Sequence, residues 1–313
     1  MPNSEFIHLH LHTLYSLLDS SIRHDPLFQK TKEFGMNAVA MTDHGNLFGA
    51  IDFYSKAKNH GIKPIIGCEV YIAPEGRLDK SDKYGLRDAS HHLILLAKND
   101  TGYKNLLKLT TSGYLEGFYY KPRIDKELLS QHSEGLIALS SCNRGEIAHN
   151  IYKENLPRAQ KMASQYEEIM GKGNFYLEIQ NHLEDWEQKI IKETLNLGKE
   201  LSIPIVATNN CHYLEKADAR AHEILLCLQT GKTISDKFRL QYENQEYYVK
   251  SPQEMAELFA ETPEALKNTL SIAEQCNLEF DFTQTNLPDY PVPSGMTLES
   301  YLKKLAVEGM KKR

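Results

Sequence analysis

Apolar residues recur along the chain in two rhythms. Short runs with strand character, at residues 6–12, 38–44, 63–72, 92–98, 135–142, 174–180 and 203–213, are separated by stretches of helical periodicity. The amphipathic stretches are residues 25–34, 50–59, 102–112, 146–170 and 184–201. Seven strands with intervening helices predict an α/β fold, a barrel-like βα array rather than a sandwich, and an irregular relative of the eightfold barrel. In such barrels the chemistry gathers at the C-terminal ends of the strands. Beyond residue 213 the pattern turns mostly helical, at 216–228, 253–260 and 263–276, around a tyrosine-rich stretch at 242–249. A loop with three prolines (281–295) precedes a last helix, 297–312, that ends in Lys311, Lys312 and Arg313 without a Gly or Asn cap. That ending reads as an amino-terminal fragment of a longer protein.

Charge and cysteine usage narrow the setting. The 313 residues carry a formal net charge of −6, so no global basic field favours nucleic acid, and any such contact needs a local patch or another part of the protein. The N-terminus lacks an apolar signal segment, and no run reaches the length of a membrane span, so no membrane partner is expected. Five scattered cysteines (Cys68, Cys142, Cys211, Cys227, Cys276), without a CxxC pair, favour a reducing cytoplasm over a disulfide framework.

The first strand carries the strongest chemical signal. Its alternation places His8, His10 and His12 on one face and Leu9 and Leu11 on the other. Same-face neighbours lie roughly 6.6 Å apart, so His10 and His12 can chelate one ion or two adjacent ones, while His8 is too far to join His12. Asp19 follows with a hard carboxylate. The alternative is a row of histidines bonded to core neighbours, and ligands farther along weigh against it. The second strand ends in Asp43 and His44, the third carries Glu69, the fourth begins at His91 and His92, the fifth ends in Cys142, and the last runs through Asn210 to His212. Imidazole, carboxylate and thiolate are the donors that zinc, manganese and iron accept.

Five segments, HLHLHTLYSLLD, MTDHGNLFGAIDFY, GIKPIIGCEVY, HHLILLAKNDTGYKNLLKL and VATNNCHYL, resemble the PHP (polymerase and histidinol phosphatase) family. More narrowly, they resemble its branch at the amino terminus of bacterial DNA polymerase III alpha subunits, as do 114–125, 134–142, 219–234 and 263–280. The resemblance covers nearly the whole chain. It implies a distorted seven-stranded (β/α) barrel (PHP fold) over residues 1–275, with a helical extension from about 214 and the start of the polymerase palm at 276–313. It also implies a cleft holding up to three divalent metals (Zn, Mn or Fe, with Mg less suited to the His/Cys-rich positions). The implied ligands are His10, His12, Asp19, His44, Glu69, His92, Cys142, Asn210 and His212, with a metal-bound water as the reactive group. The family pattern has Asp where this chain has Asn210, which offers a carbonyl oxygen without charge.

The activity implied is phosphoester hydrolysis, with the 3′ end of a DNA strand as substrate in a proofreading exonuclease. The implied partners are the remainder of the polymerase alpha subunit, a separate proofreading exonuclease subunit and the primer-template. Two alternatives stand beside it. One is a weakly active or inactive metal-stabilised module that docks the exonuclease subunit. The other is a histidinol-phosphate-type phosphatase, disfavoured by the residues that follow the barrel.

Other residues carry two readings each. Asp43 either orients a ligand imidazole or caps the next helix. Arg123 and Lys121 either meet phosphates near the cleft or are plain surface cations. His182 faces the cleft or bonds within a loop. Cys68, Cys211 and Cys227 read as small packing residues, and the cluster of Arg220, His222 and Glu223 is either functional or, as the safer reading, a polar helix face.

Overall fold

The computed structural model describes residues 5–81, 85, 89–283 and 287–313, so part of the expected 281–295 loop lies outside the described residues. The chain divides into two compact units, Met1–Glu279 and Phe280–Arg313. In the second, helix Leu298–Lys312 is capped by Thr297, whose hydroxyl accepts from the Ser300 N–H.

The first unit is built in the order α1 (His24–Glu33), β1 (Ala38–His44), α2 (Ala50–Asn59), β2 (Lys63–Ile72), β3 (His91–Ala97) and α3 (Asp100–Leu115). Then come β4 (Phe118–Tyr119), β5 (Lys121–Ile124), α4 (Lys126–Gln131), β6 (Leu136–Leu139), α5 (Glu146–Tyr152), α6 (Leu156–Met170), β7 (Phe175–Gln180), α7 (Asp185–Leu201) and β8 (Ile205–Thr208). Helices α8 (Ala219–Thr230), α9 (Pro252–Leu258) and α10 (Pro263–Gln275) follow. The expected helix over 146–170 is two helices. Pro157 supplies no N–H to continue the first, and Asn155 restarts the second by accepting from the Arg158 N–H.

The strands form one curled sheet. β1 pairs parallel with β2, β6 with β7, and β7 with β8, but β3 runs antiparallel to both β2 and β6. The short β4–β5 hairpin, not foreseen as strands, attaches at the end of β2 through Tyr71 and Ile72. The stretch expected as the first strand, 6–12, is extended but, among the described residues, makes a single ladder bridge, Leu11 to Cys211. On its other side the Ala40 N–H donates to the His8 carbonyl, while the Thr42 hydroxyl takes the Leu11 N–H that a ladder partner would take. Those bonds complete a circuit of seven chain segments: 6–12, β1, β2, β3, β6, β7 and β8.

Every segment of the circuit contributes to a shared apolar cluster, which includes Leu9, Ala40, Ile65, Ile94, Leu139, Tyr176 and Val206. Same-face positions farther along each parallel strand, two or four residues on, are His44, Glu69, Glu178 and Thr208. On the reversed β3 the equivalent position lies two residues earlier, at His92. An apolar plug with a polar layer at one rim is the result. His92, at a strand start, reaches the rim of the strand exits because its strand points the other way.

Candidate metal centre

The polar layer is assembled around Glu69, whose side chain is 1% exposed. The β1–β2 register sets His44 opposite Glu69, and the β2–β3 register sets His92 opposite Tyr71, two residues on. His10 and His12 arrive from the extended segment. Here the expected single-faced histidine row is corrected: Ile7 and Leu9 pack in the apolar plug, and the chain bends at His10, which turns His10 and His12 toward Glu69. His8 stays apart, with its ring nitrogens on the Lys250 carbonyl (2.8 Å) and the Cys211 sulfur (3.5 Å). Burial pushes its pKa down to about 4.

Glu69 Oε2 lies 2.7 Å from His10 Nε2 and 3.4 Å from His12 Nε2. Its Oε1 lies 3.3 Å from His44 Nδ1 and also contacts His92 Nδ1. Burial opposes ionisation of Glu69, but the imidazoles, His92 and His44 first, hold its carboxyl well below the usual range. The rings of His44, His12 and His212 are stacked, with centroids 4.1 Å and 4.5 Å apart. Stacked imidazoles cannot all be protonated. Burial disfavours protonation of His10 and His44, yet adjacent carboxylates raise them to about 9 and about 10. Burial dominates at His12 and His212, which fall, and at His92, which falls to about 4 with help from His44 and Arg144.

Asp19 follows a left-handed Leu18 and places Oδ2 2.6 Å from His44 Nε2 and 3.5 Å from His212 Nδ1. Burial disfavours its ionised form, but His212 and His44 outweigh that and hold the carboxyl far below its ordinary value. His212 Nε2 faces Asn210 Oδ1 at 3.1 Å and the Tyr242 hydroxyl at 3.3 Å. Asn210 has φ +45°, a conformation Asn tolerates better than most residues, and it takes the chain out of β8.

The donor set fits cations. Among the described residues, four groups bring candidate ligand atoms within 4.8 Å of one another: His10, His12 and Glu69; His12, His44 and His212; His44, Glu69 and His92; and Asp19, His212 and His222. His12 Nε2 and His44 Nδ1 are buried without a hydrogen-bond partner, although each points toward Glu69. Buried polar atoms are ordinarily paired, so two orphaned ring nitrogens at one carboxylate mark places for a cation. Cys142 falls in none of the four groups. Its sulfur is 3.9 Å from His92 Nδ1, and burial, with the charge of Glu69, pushes its thiol up to about 12.

A model of the PHP domain matches residues 8–182. The chain belongs to the PHP domain family. This PHP chain is 48% identical over 99% of its length to the DNA polymerase III subunit alpha of Borreliella burgdorferi, of which it covers 27%. It is 43% identical to the Treponema pallidum protein of the same name, covering 26% of it, and 42% identical to that of Thermus aquaticus, again 26%, each over 99% of this chain. The chain thus spans about a quarter of the length of these relatives. Among solved structures, an amidohydrolase from Chromobacterium violaceum with bound sulfate and no metal aligns over 66% of this chain and 88% of its own, with a TM-score of 0.44 and 12% identity.

Around the PHP centre, the remaining candidates are placed as follows. Asp43 accepts from the Thr13 N–H (2.6 Å) and from the Thr13 and Ser16 hydroxyls (2.7 Å each), and Ser16 Oγ lies 3.1 Å from His12 Nδ1. It therefore reaches an imidazole only through a hydroxyl. Arg123 is buried and donates to the carbonyls of Gly117, Ala89 and Asp79, so neither reading of it holds: it is not a surface cation, and its guanidinium is spent on backbone rather than on phosphate. Of the two readings of His182, the bonded one describes its place: its ring faces Glu187 on α7 (2.7 Å) and the Asn209 carbonyl just after β8 (2.9 Å) rather than the centre.

Sequence reasoning missed one residue of the centre, Glu178, and preferred a solvent-facing reading for another, His222. Glu178 Oε1 sits 2.7 Å from His10 Nδ1, and its Oε2 accepts from the Ser141 N–H. The available signal was a lone carboxylate within FYLEIQ, a strand buried at every position. His222 belongs by sequence to a polar helix face, yet it is buried with Nε2 on the Asp19 carbonyl at 2.9 Å. Its helix is amphipathic by sequence, and only the packing of α8 reveals which side is inward.

Proposed function

We propose that this chain is the PHP portion of a bacterial replicative DNA polymerase alpha subunit. Its centre binds up to three divalent metals, zinc, manganese or iron, and hydrolyses phosphoesters, with the 3′ end of a DNA strand as substrate. The observation that carries this reading is the pair of orphaned nitrogens, His12 Nε2 and His44 Nδ1, turned to the one carboxylate of Glu69. Support for the polymerase context comes from relatives named as polymerase subunits over 99% of the chain. No described helix is long and apolar enough to cross a membrane, which agrees with a cytoplasmic setting. The small-molecule phosphatase alternative is set aside because those relatives are polymerase subunits.

His10, His12, Asp19, His44, Glu69, His92 and His212 would hold the ions, with Cys142 and Asn210 at the margin. Divalent ions there would lower the pKa of a coordinated water toward about 7 and steady charge developing on a phosphoryl group. The chain's own contribution is orientation. Glu178 fixes the His10 ring, Ser16 together with Asp43 fixes His12, and the Asp19 carbonyl fixes His212 and His222.

A second reading, a weakly active module that docks a proofreading exonuclease subunit, is favoured by one feature. Asn210 brings no charge to His212, so the ion shared with it is bound less tightly. Elemental analysis of the purified chain, followed by digestion of a 3′-labelled strand with and without chelator, separates the readings. Stoichiometric metal and chelator-sensitive digestion support the first. Metal without digestion favours the second, and no metal uptake at all ends both. Under the second reading Asn210→Asp increases metal retention and turnover.

A further inference from the structure

Two cations at the rim have no anionic partner among the described residues. Lys121 and Arg144 are exposed, and among those residues neither side chain meets a carboxylate or a carbonyl. Four other arginines are committed: Arg77 to Asp125 and Glu116, Arg220 and Arg239 to Glu223, Arg123 to backbone. Lys121 Nζ lies 5.4 Å above the Tyr71 ring, which is stacked on His44 (6.0 Å) and set edge-on to His92 (5.1 Å). Its hairpin is fixed, because Arg123 clamps the base and Pro122 packs against Gly45, where a Cβ would lie 2.8 Å from Pro122 Cγ. Arg144 sits on a tight turn after Cys142. The Gly145 N–H donates to the Cys142 carbonyl (2.8 Å), and the Arg144 carbonyl accepts from the His92 N–H (3.0 Å).

A short turn and a clamped hairpin therefore hold two uncommitted cations beside His92 and Tyr71, on a chain of net charge −6. Guanidinium and ammonium groups in such positions suit phosphate oxygens. The same hairpin exposes Tyr120 (60%) and Phe118 (48%), rings that unpaired bases can stack on. We propose that Lys121 and Arg144 seat the phosphates of a single-stranded nucleic acid at the metal centre, with Tyr120 and Phe118 offering ring faces to its bases. The proposal rests on the phosphoesterase reading for its setting, and its test is binding, which can succeed or fail without turnover.

The probe is a short fluorescein-labelled oligothymidylate, titrated by anisotropy against the whole 313-residue chain across a salt series. Lys121→Ala and Arg144→Ala each weaken binding about three- to tenfold. Together they flatten the log–log salt dependence, by about 0.7 for each phosphate left without its cation. Arg144→Lys and Lys121→Arg restore the slope, which a merely structural role would not do. Losses at Tyr120→Ala at unchanged slope support the stacking half. Unchanged affinity and slope in the double variant overturn the proposal. So does a wild-type chain that fails to bind the strand, or binds it no better than inorganic phosphate competes. Binding that follows these residues without any hydrolysis supports the seat and sinks the phosphoesterase reading instead.

Discussion

Two buried polar constellations in the barrel unit look alike in composition and differ in one respect. Around His182, every donor and acceptor has an answer. Its ring meets Glu187 and the Asn209 carbonyl, the Asn209 amide donates to the Glu246 and Tyr248 carbonyls, and Lys250, 2% exposed, reaches Asn209 Oδ1 and Glu246. Around Glu69, imidazoles outnumber carboxylates, and two ring nitrogens go without a partner. Burying polar atoms is costly in both places. The first region recovers the cost inside the fold, and the second leaves part of it for something that binds. Unsatisfied donors, rather than a density of histidines, mark the functional region.

The largest effect should come from Glu69→Gln, which removes the charge that four imidazoles share. Metal per chain, measured by elemental analysis, should fall below one equivalent, and any phosphoesterase turnover by more than about 100-fold, the upper end for losing an outer partner. Lys250→Met strikes the satisfied region. Removing the ammonium leaves Asn209 Oδ1 and the Glu246 carbonyl without this donor, while Lys216 still pairs with the Glu246 carboxylate, and should cost about 2 kcal/mol in urea unfolding while metal content holds. If that variant instead sheds metal at an unchanged midpoint, the two regions are not separable. Glu178→Gln keeps the shape beside His10 but removes its charge, and metal affinity read by chelator competition should drop about tenfold.

The smallest effect concerns His24, which stands between the two cases. Its Nδ1 meets Asp52 at 2.8 Å, and its Nε2 is buried without a partner. Burial lowers its pKa from 6.5 against the pull of Asp52, so the unfolded chain binds more protons than the folded one as pH falls. Stability due to His24 is therefore present above about pH 6.5 and lost as pH drops below it. His24→Leu should flatten the fall in melting temperature between about pH 7 and about pH 5. An equal fall in both proteins would place the acid sensitivity elsewhere.

Much of this was legible along the chain. Strands 38–44 and 63–72 fall on short, nearly continuous apolar runs, and helix 50–59 closes where its apolar period stops, because local burial sets both. The break at Asn155 escapes the periodicity although Pro157 announces it. Glu178 was missed and His222 was given to a polar face because a buried polar residue and a solvent-facing one look the same until a partner is placed against them.

By itself, the sequence determined the βα rhythm, the residue types available to a cation and their positions near strand ends, since these follow from periodicity and side-chain chemistry. The tertiary structure alone decided the direction of β3, which brings His92 to the rim, and the bend that parts His8 from His10. It also decided which histidines kept a free nitrogen. Each of these depends on contacts between residues distant in sequence, and no local pattern encodes whether a buried nitrogen will find an acceptor or be left facing a carboxylate that others already share.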